Sequence, residues 1–341
     1  MDAKQIMQMC RRNNNYAPSQ ERYDSMEYRR AGRSGLKLSA LSFGLWNNFG
    51  STDSIENMRD MIFTAFDNGI TVFDIANNYG PVSGAAERNF GGILARDLHG
   101  HRDELVITTK AGFGAWRGPY GGGNGGRKHL IASLDRSLVN LGVEYVDIFY
   151  HHRPDPETPM EETALALKHI VDSGKALYVG ISNYNLEQTK QMCALLREYK
   201  VPFVISQMRY SLLDRTVETC GLKAFARENG FALTAYSPLA QGMLTDKYLH
   251  GIPQDSRMSL NMNLKKESLT DEVLGKIGAL NEVAAARGQT LAEMAISWLL
   301  RDEDVASVII GASRSSQITE DLRFNGTFTA EELKTIDEIT L

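Results

Sequence analysis

Val72-Phe-Asp-Ile-Ala-Asn-Asn-Tyr79 is the stretch that decides how this chain folds. An apolar, strand-like run delivers the carboxylate of Asp74 and, one short loop later, the phenol of Tyr79. Two more runs end in the same manner. Leu105 to Thr109 delivers Lys110, and Val146 to Tyr150 delivers His151 and His152 ahead of Arg153-Pro154. A carboxylate, a phenol, an ammonium and an imidazole at the carboxyl ends of successive strands are the groups that a proton donor of depressed pKa needs. A β/α barrel carries its active site at that end of its strands.

Outward from this stretch, short β-branched and aromatic runs alternate with longer segments of helical period, the signature of βα units and a parallel sheet. The strands are expected at Ala40 to Gly44, Thr71 to Ile75, Leu105 to Thr109, Val146 to Tyr150, Ala176 to Ile181, Phe203 to Gln207, Ala232 to Ser237 and Ser307 to Ile310. Their number is the one that closes a (β/α)8 TIM barrel. Stripes such as Met58, Ile62, Ala65 and Phe66, or Leu130, Leu134, Leu138 and Leu141, read as helix faces packed on that barrel. Tyr28-Arg-Arg-Ala-Gly-Arg-Ser-Gly-Leu36 reads as a β-hairpin around a Gly-rich turn, placed to plug the closed end.

The 341 residues fit one barrel domain over 26–341, preceded by a poorly ordered tail over 1–25, since such barrels run from roughly 200 to more than 400 residues. A net charge of −5 gives no reason to expect nucleic-acid binding. The polar start, Met1 to Gln20, lacks the apolar core of a secretion signal, and no apolar run is long enough to cross a bilayer. Cys10, Cys193 and Cys220 are far apart and form no metal or disulfide pattern, so a reducing cytoplasm is expected and no metal. Three connections exceed what a barrel needs and fall on its C-terminal face: Ala111 to Gly126, Leu239 to about Leu269, and Gly311 to Gln317.

These residues carry a resemblance. From Gly69-Ile-Thr-Val-Phe-Asp-Ile-Ala76 through Tyr79, Lys110 and His152 to Gly180-Ile-Ser-Asn183, Gln207 and Tyr236-Ser-Pro-Leu239, the chain resembles the aldo-keto reductases. Tyr150-His-His-Arg-Pro-Asp155, Ser173-Gly-Lys-Ala-Leu-Tyr-Val-Gly180 and Gly311-Ala-Ser313 are similar to one branch. That branch holds bacterial NADPH-dependent reductases of L-glyceraldehyde 3-phosphate and the β-subunits of voltage-gated potassium channels.

The resemblance implies a catalytic set of Tyr79, Lys110, Asp74 and His152. Tyr79 would protonate the substrate oxygen, Lys110 would favour the phenolate, Asp74 would keep Lys110 charged, and His152 would orient the carbonyl. It further implies NADPH as cofactor. Trp46, Asp74, Ser182, Asn183, Gln207 and Tyr236 would lie at the nicotinamide; Ser237, Pro238, Leu239, Gln241 and Lys247 along the pyrophosphate; and Gly311, Ser313, Gln317 and Glu320 at the adenosine. Arg257 and Arg314 are expected at the 2′-phosphate, a good partner for a guanidinium. Asp321 departs from the Asn usual in the family, and a carboxylate cannot donate to adenine as an amide can. No G-x-G-x-x-G follows a strand, so a Rossmann site is not indicated.

Several residues keep plainer readings. His151 should point away from His152 and pack. His99 and His101 read as solvated loop histidines, and Met243, Met258 and Met262 as gap-fillers. The glycines of Gly121 to Gly126 fit a flexible connector as well as a substrate role. The helix start at Arg127 and Lys128 is expected to bind the phosphate of a small phosphorylated aldehyde. Two functions follow from the resemblance. One is reduction of L-glyceraldehyde 3-phosphate by a tetramer or larger homo-oligomer, with methylglyoxal as side substrate. The other is a regulatory nucleotide-binding subunit. His152 favours the first, because the channel subunits of this branch carry Asn there.

Overall fold

The structure is a computed structural model, and it describes residues 16–245 and 266–341. Eight parallel strands close a barrel in the order β10, β3, β4, β5, β6, β7, β8, β9. They are β3 (Leu41–Gly44), β4 (Val72–Asp74), β5 (Val106–Ala111), β6 (Val146–His151), β7 (Ala176–Ser182), β8 (Phe203–Arg209), β9 (Ala232–Tyr236) and β10 (Val305–Ile310). Each expected strand is present. β5 and β6 run further than their composition suggested, so that Lys110 and His151 lie inside strands instead of just beyond them. The extension follows from pairing: Lys110 lies opposite Tyr150 and Ala111 opposite His151, so the two strands satisfy each other's backbone to the same level.

Two-residue alternation along these strands separates the core from the chemistry. Val72, Val106, Ile148 and Tyr150 face into the barrel and pack with Ile205, Ala232 and Ala306. Phe73, Ile107 and Phe149, one residue along, face the helices. Continuing the inward set by steps of two carries β4 to Asp74, β5 to Thr108 and Lys110, and β6 to His152. A slip of one residue would turn all of them into the helical layer.

The helices form where the apolar stripes were read. Ile55–Asp67 buries Met58, Met61, Ile62, Ala65 and Phe66, and its first turn is capped by Ser54 Oγ accepting from the Asn57 N–H. Arg127–Leu141 buries Leu130, Leu134, Leu138 and Leu141 and ends at Gly142, whose left-handed φ of 66° suits a residue without a Cβ. Each such leucine or phenylalanine taken from water contributes roughly 1.5–3 kcal/mol.

Ahead of the barrel, β1 (Tyr28–Arg30) and β2 (Lys37–Ser39) pair antiparallel as the expected hairpin. Its Ala31 and Leu38 are buried in the same cluster as the inward-facing barrel residues, so the hairpin closes the barrel's N-terminal end. Gly32 is held there at φ 59° against Gly230 O, with no room for a side chain. Of the expected tail, residues 16–25 are described: the Tyr16 ring stacks on Phe63, its hydroxyl donates to Asp67, and Arg22 pairs with Glu104. Residues 1–15 lie outside the described part, as do Met258 and Met262.

Candidate active site

Asp74, at the end of β4, is buried and accepts three hydrogen bonds. Thr108 Oγ1 and Gln207 Nε2 donate to its Oδ1 at 2.7 and 2.9 Å, and Lys110 Nζ donates to its Oδ2 at 2.6 Å. Thr108 had no expected role. It lies directly opposite Asp74 in the β4–β5 register and two residues before Lys110, so one strand supplies both the ammonium and a clamp for its counter-ion.

Lys110 is fully buried, and its Nζ also donates to Ile75 O at 2.8 Å and to Tyr79 Oη at 3.2 Å. Burial alone would discharge it, but Asp74 and Tyr79 hold its pKa above the ordinary value, so it is charged at neutral pH. The expected depression of the Tyr79 phenol is not found. Burial raises its pKa and outweighs the pull of Lys110, and Asp74 adds to the rise. Tyr79 is therefore a fully protonated phenol that has an ammonium in place to receive its anion.

His152 follows β6 and is buried, edge-on to Tyr79 with ring centroids 5.9 Å apart and to Phe113 at 4.6 Å. Burial, Lys110, His151 and Arg153 all push its pKa well down, so the ring is neutral, and its Nδ1 has no hydrogen-bond partner. His151 points the other way, its Nδ1 against Tyr184 Oη at 2.5 Å and its ring against Gly125. The structure thus brings Asp74, Tyr79, Lys110 and His152 to one end of the barrel and keeps His151 out.

The cofactor candidates form a band around this cluster. Asn183 donates to His152 O at 2.9 Å and to Ser182 Oγ at 3.1 Å, and accepts from Tyr236 Oη at 2.7 Å. The Trp46 ring, half exposed, lies 6.1 Å from that of Tyr79. Between β9 and β3, Gly311 follows β10, Gln317 Oε1 accepts from the Ser313 N–H at 2.8 Å, Arg314 donates to Ser316 Oγ, and Glu320 is exposed. Asp321 is buried, and its carboxyl is pushed up to about 7 by burial, Glu320 and Glu293. Lys247 and Arg257 lie outside the described residues.

Does this band fit a dinucleotide? Asn183, Ser237, Ala240 and Gln241 hold φ of 61°, 54°, 48° and 60°, a left-handed region that side chains disfavour. Such strain clusters where backbone grips a ligand. Ser237, Ala240 and Gln241 fall together in the turn that contains Pro238 and Leu239, and the buried Gln241 Oε1 has no partner. The residues present fit a nicotinamide dinucleotide lying across the β7, β9 and β10 ends.

One expected site is closed. At the start of Arg127–Leu141, the Gly125, Gly126 and Arg127 N–H groups donate to Asp155, Asn124 and Glu162 at 2.8, 2.9 and 2.9 Å. Two carboxylates already occupy the place expected for a phosphate, and like charge excludes another anion. Lys128 turns instead over the Tyr120 ring.

Residues 40–341 match the profile of the aldo/keto reductase family. The chain belongs to that family. It is thus an aldo-keto reductase, an oxidoreductase that uses a nicotinamide cofactor. This aldo-keto reductase is 55% identical over 324 residues to the L-glyceraldehyde 3-phosphate reductase of Escherichia coli (strain K12), a match covering 93% of each chain. It is 40% identical to a probable voltage-gated potassium channel subunit beta of Arabidopsis thaliana, over 87% of this chain and 90% of that one. A similar subunit of Oryza sativa subsp. japonica is 38% identical over 87% and 90%. No helix of this reductase, among the described residues, is long and apolar enough to cross a membrane.

Proposed function

We propose that the chain reduces small aldehydes with NADPH, L-glyceraldehyde 3-phosphate to glycerol 3-phosphate above all, with methylglyoxal as a side substrate. The observation that carries the reading is the Asp74–Lys110–Tyr79 chain of contacts, 2.6 and 3.2 Å, ending on a protonated phenol. The bound cofactor would supply a hydride to the carbonyl carbon. Tyr79 would give its proton to the carbonyl oxygen, leaving a phenolate beside the Lys110 ammonium. Asp74, held by Thr108 and Gln207, keeps that ammonium charged and fixed. His152, neutral, would hold the carbonyl oxygen by a ring N–H and align it with the phenol.

Ser182, Asn183, Gln207, Tyr236 and Trp46 would frame the nicotinamide, the turn from Ser237 through Gln241 the pyrophosphate, and Ser313, Arg314, Gln317 and Glu320 the adenosine. Arg314 would select the 2′-phosphate. The likeness to the Escherichia coli reductase supports the substrate. The same reading makes the protein a cytoplasmic homo-oligomer, tetramer or larger, a size that light scattering measures. A regulatory subunit without turnover is disfavoured by the imidazole at His152. The test is turnover of L-glyceraldehyde 3-phosphate, glyceraldehyde and methylglyoxal with NADPH, followed at the nicotinamide absorbance. The phosphorylated aldehyde should show the highest kcat/KM, and absence of turnover on all three overturns the proposal.

A further inference from the structure

A cavity of about 420 Å³ opens between the helices Ala85–Asp97 and Arg127–Leu141, lined among others by Asn77, Ser83, Arg88, Trp116 and Arg136. Its wall does not include Asp74, Tyr79, Lys110 or His152. Asn77 belongs to the loop that carries Tyr79, and its N–H donates to Lys110 O at 3.1 Å. The residue is only 5% exposed, yet neither its amide nitrogen nor its amide oxygen has a hydrogen-bond partner. Buried amides are rarely left so, and one beside a cavity points to something that the cavity receives.

The charges on the wall say what that is. Among the described residues neither Arg88 nor Arg136 forms an ion pair, and the Arg136 guanidinium rests on the Trp116 ring at 4.7 Å. The wall's carboxylates offset this charge only in part, Glu87 attracting Arg88 and Asp135 being shared with Lys175. Glu87 accepts from Thr109 Oγ1 at 2.8 Å and from Asn140 Nδ2 at 3.0 Å, and Asp135 pairs with Lys175 at 2.6 Å. A surplus of positive charge is left.

Helix Ala85–Asp97 begins on this wall. Its N-cap, Gly84, has a left-handed φ of 78° and no capping side chain. Arg88 Nη1 lies 2.9 Å from where a Cβ on Gly84 would stand, so a guanidinium sits over the positive end of the helix. Buried Glu87 in the first turn offsets part of that charge, and the Ala85 and Ala86 N–H groups already donate to Val82 O and Tyr79 O at 2.9 and 3.4 Å, so the attraction for an anion rests on the two arginines and not on the helix end.

We propose that this cavity is a binding site for a phosphate-class anion, held by Arg88, Arg136 and the Asn77 amide at the start of helix Ala85–Asp97, and distinct from the carbonyl site. The phosphate has two possible sources, the aldehyde substrate itself and a free phosphate in solution. In either case the anion engages the loop that presents Tyr79 to Lys110. Only the first source rests on the substrate proposed above.

The experiment adds inorganic phosphate to the full-length protein and measures binding by calorimetry and thermal shift, against sodium chloride at equal ionic strength. Saturable binding and a phosphate-specific rise in Tm are expected. Arg88→Gln/Arg136→Gln should weaken phosphate at least about 10-fold, while Arg88→Lys/Arg136→Lys should keep part of the affinity and circular dichroism shows both variants folded. A rise equalled by chloride, or undiminished binding in the glutamine variant, overturns the site. Kinetics then identify the source. If kcat/KM for L-glyceraldehyde 3-phosphate falls in the glutamine variant and that for glyceraldehyde holds, the site takes the substrate's phosphate. If phosphate binding is lost and the ratio of the two efficiencies is unchanged, it takes the free anion. Normal phosphate binding by a protein that reduces no aldehyde would sink the proposed reaction and leave this site standing.

Discussion

Lys110 Nζ and Asp74 Oδ2 lie 2.6 Å apart in a place where both side chains are sealed from water. Removing one partner of such a pair strands a buried charge, at a typical cost of about 3–5 kcal/mol. Lys110→Met should therefore lose stability of that order in urea titration and most of its turnover. Asp74→Asn/Lys110→Met should regain part of the stability and none of the turnover. A double variant no more stable than Lys110→Met would show that the pair is not what holds the site.

Tyr79→Phe removes one oxygen and almost no volume. NADPH binding, followed by fluorescence titration, should be unchanged within about twofold, while kcat falls by at least about 100-fold, the usual scale of a lost general acid. Aldehyde reduction at the wild-type rate would assign the proton to another group.

Asp321 gives a pH dependence whose sign can be worked out. Its folded pKa of about 7 stands above the ordinary 3.8. The native state therefore keeps a proton that the unfolded chain releases between about pH 4 and 7, and stability declines as pH rises through that window. Asp321→Asn carries no charge at any pH. It should match wild type near pH 4 and lead it above pH 7, by at most about 4 kcal/mol. Urea denaturation at several pH values checks this, and a gap that does not vary with pH would refute it.

Gly180 has no room for a methyl group. A Cβ there would stand 2.3 Å from the buried ring of Tyr150, which packs below Lys110. Gly180→Ala should cost about 1–3 kcal/mol through forced repacking. An unchanged urea midpoint would mean that the Tyr150 ring can move aside.

Arg314→Ala should weaken NADPH at least about 10-fold and NADH little, because only the former offers a 2′-phosphate. Equal losses for the two cofactors would give this arginine another task.

The barrel was legible because its pattern repeats: strand after strand alternates, and the inward set runs on into Asp74, Lys110 and His152. The meeting of Asp74, Tyr79, Lys110 and His152 was readable for the same reason, since strand ends converge once the barrel closes. Thr108 was missed although its place two residues before Lys110 was in plain view; a threonine in a strand needs no function, and only its register opposite Asp74 gives it one. The helix start at Arg127 misled because the carboxylates that fill it, Asp155 and Glu162, come from a later part of the chain. The Tyr79 pKa depends on how deeply the ring is buried, which no local pattern records.

Among the described residues, the hairpin beneath the barrel closes its floor and leaves the C-terminal end of the strands as the mouth. Ala31 and Leu38 seal the floor, and Lys110 above them has no measurable exposure. In the proposed reaction, that packed floor gives no route from below for a proton lost by Tyr79. If Tyr79 is the proton donor, whatever reprotonates it would enter by the opening that admits the substrate, and the end of each proposed cycle would be tied to emptying that opening.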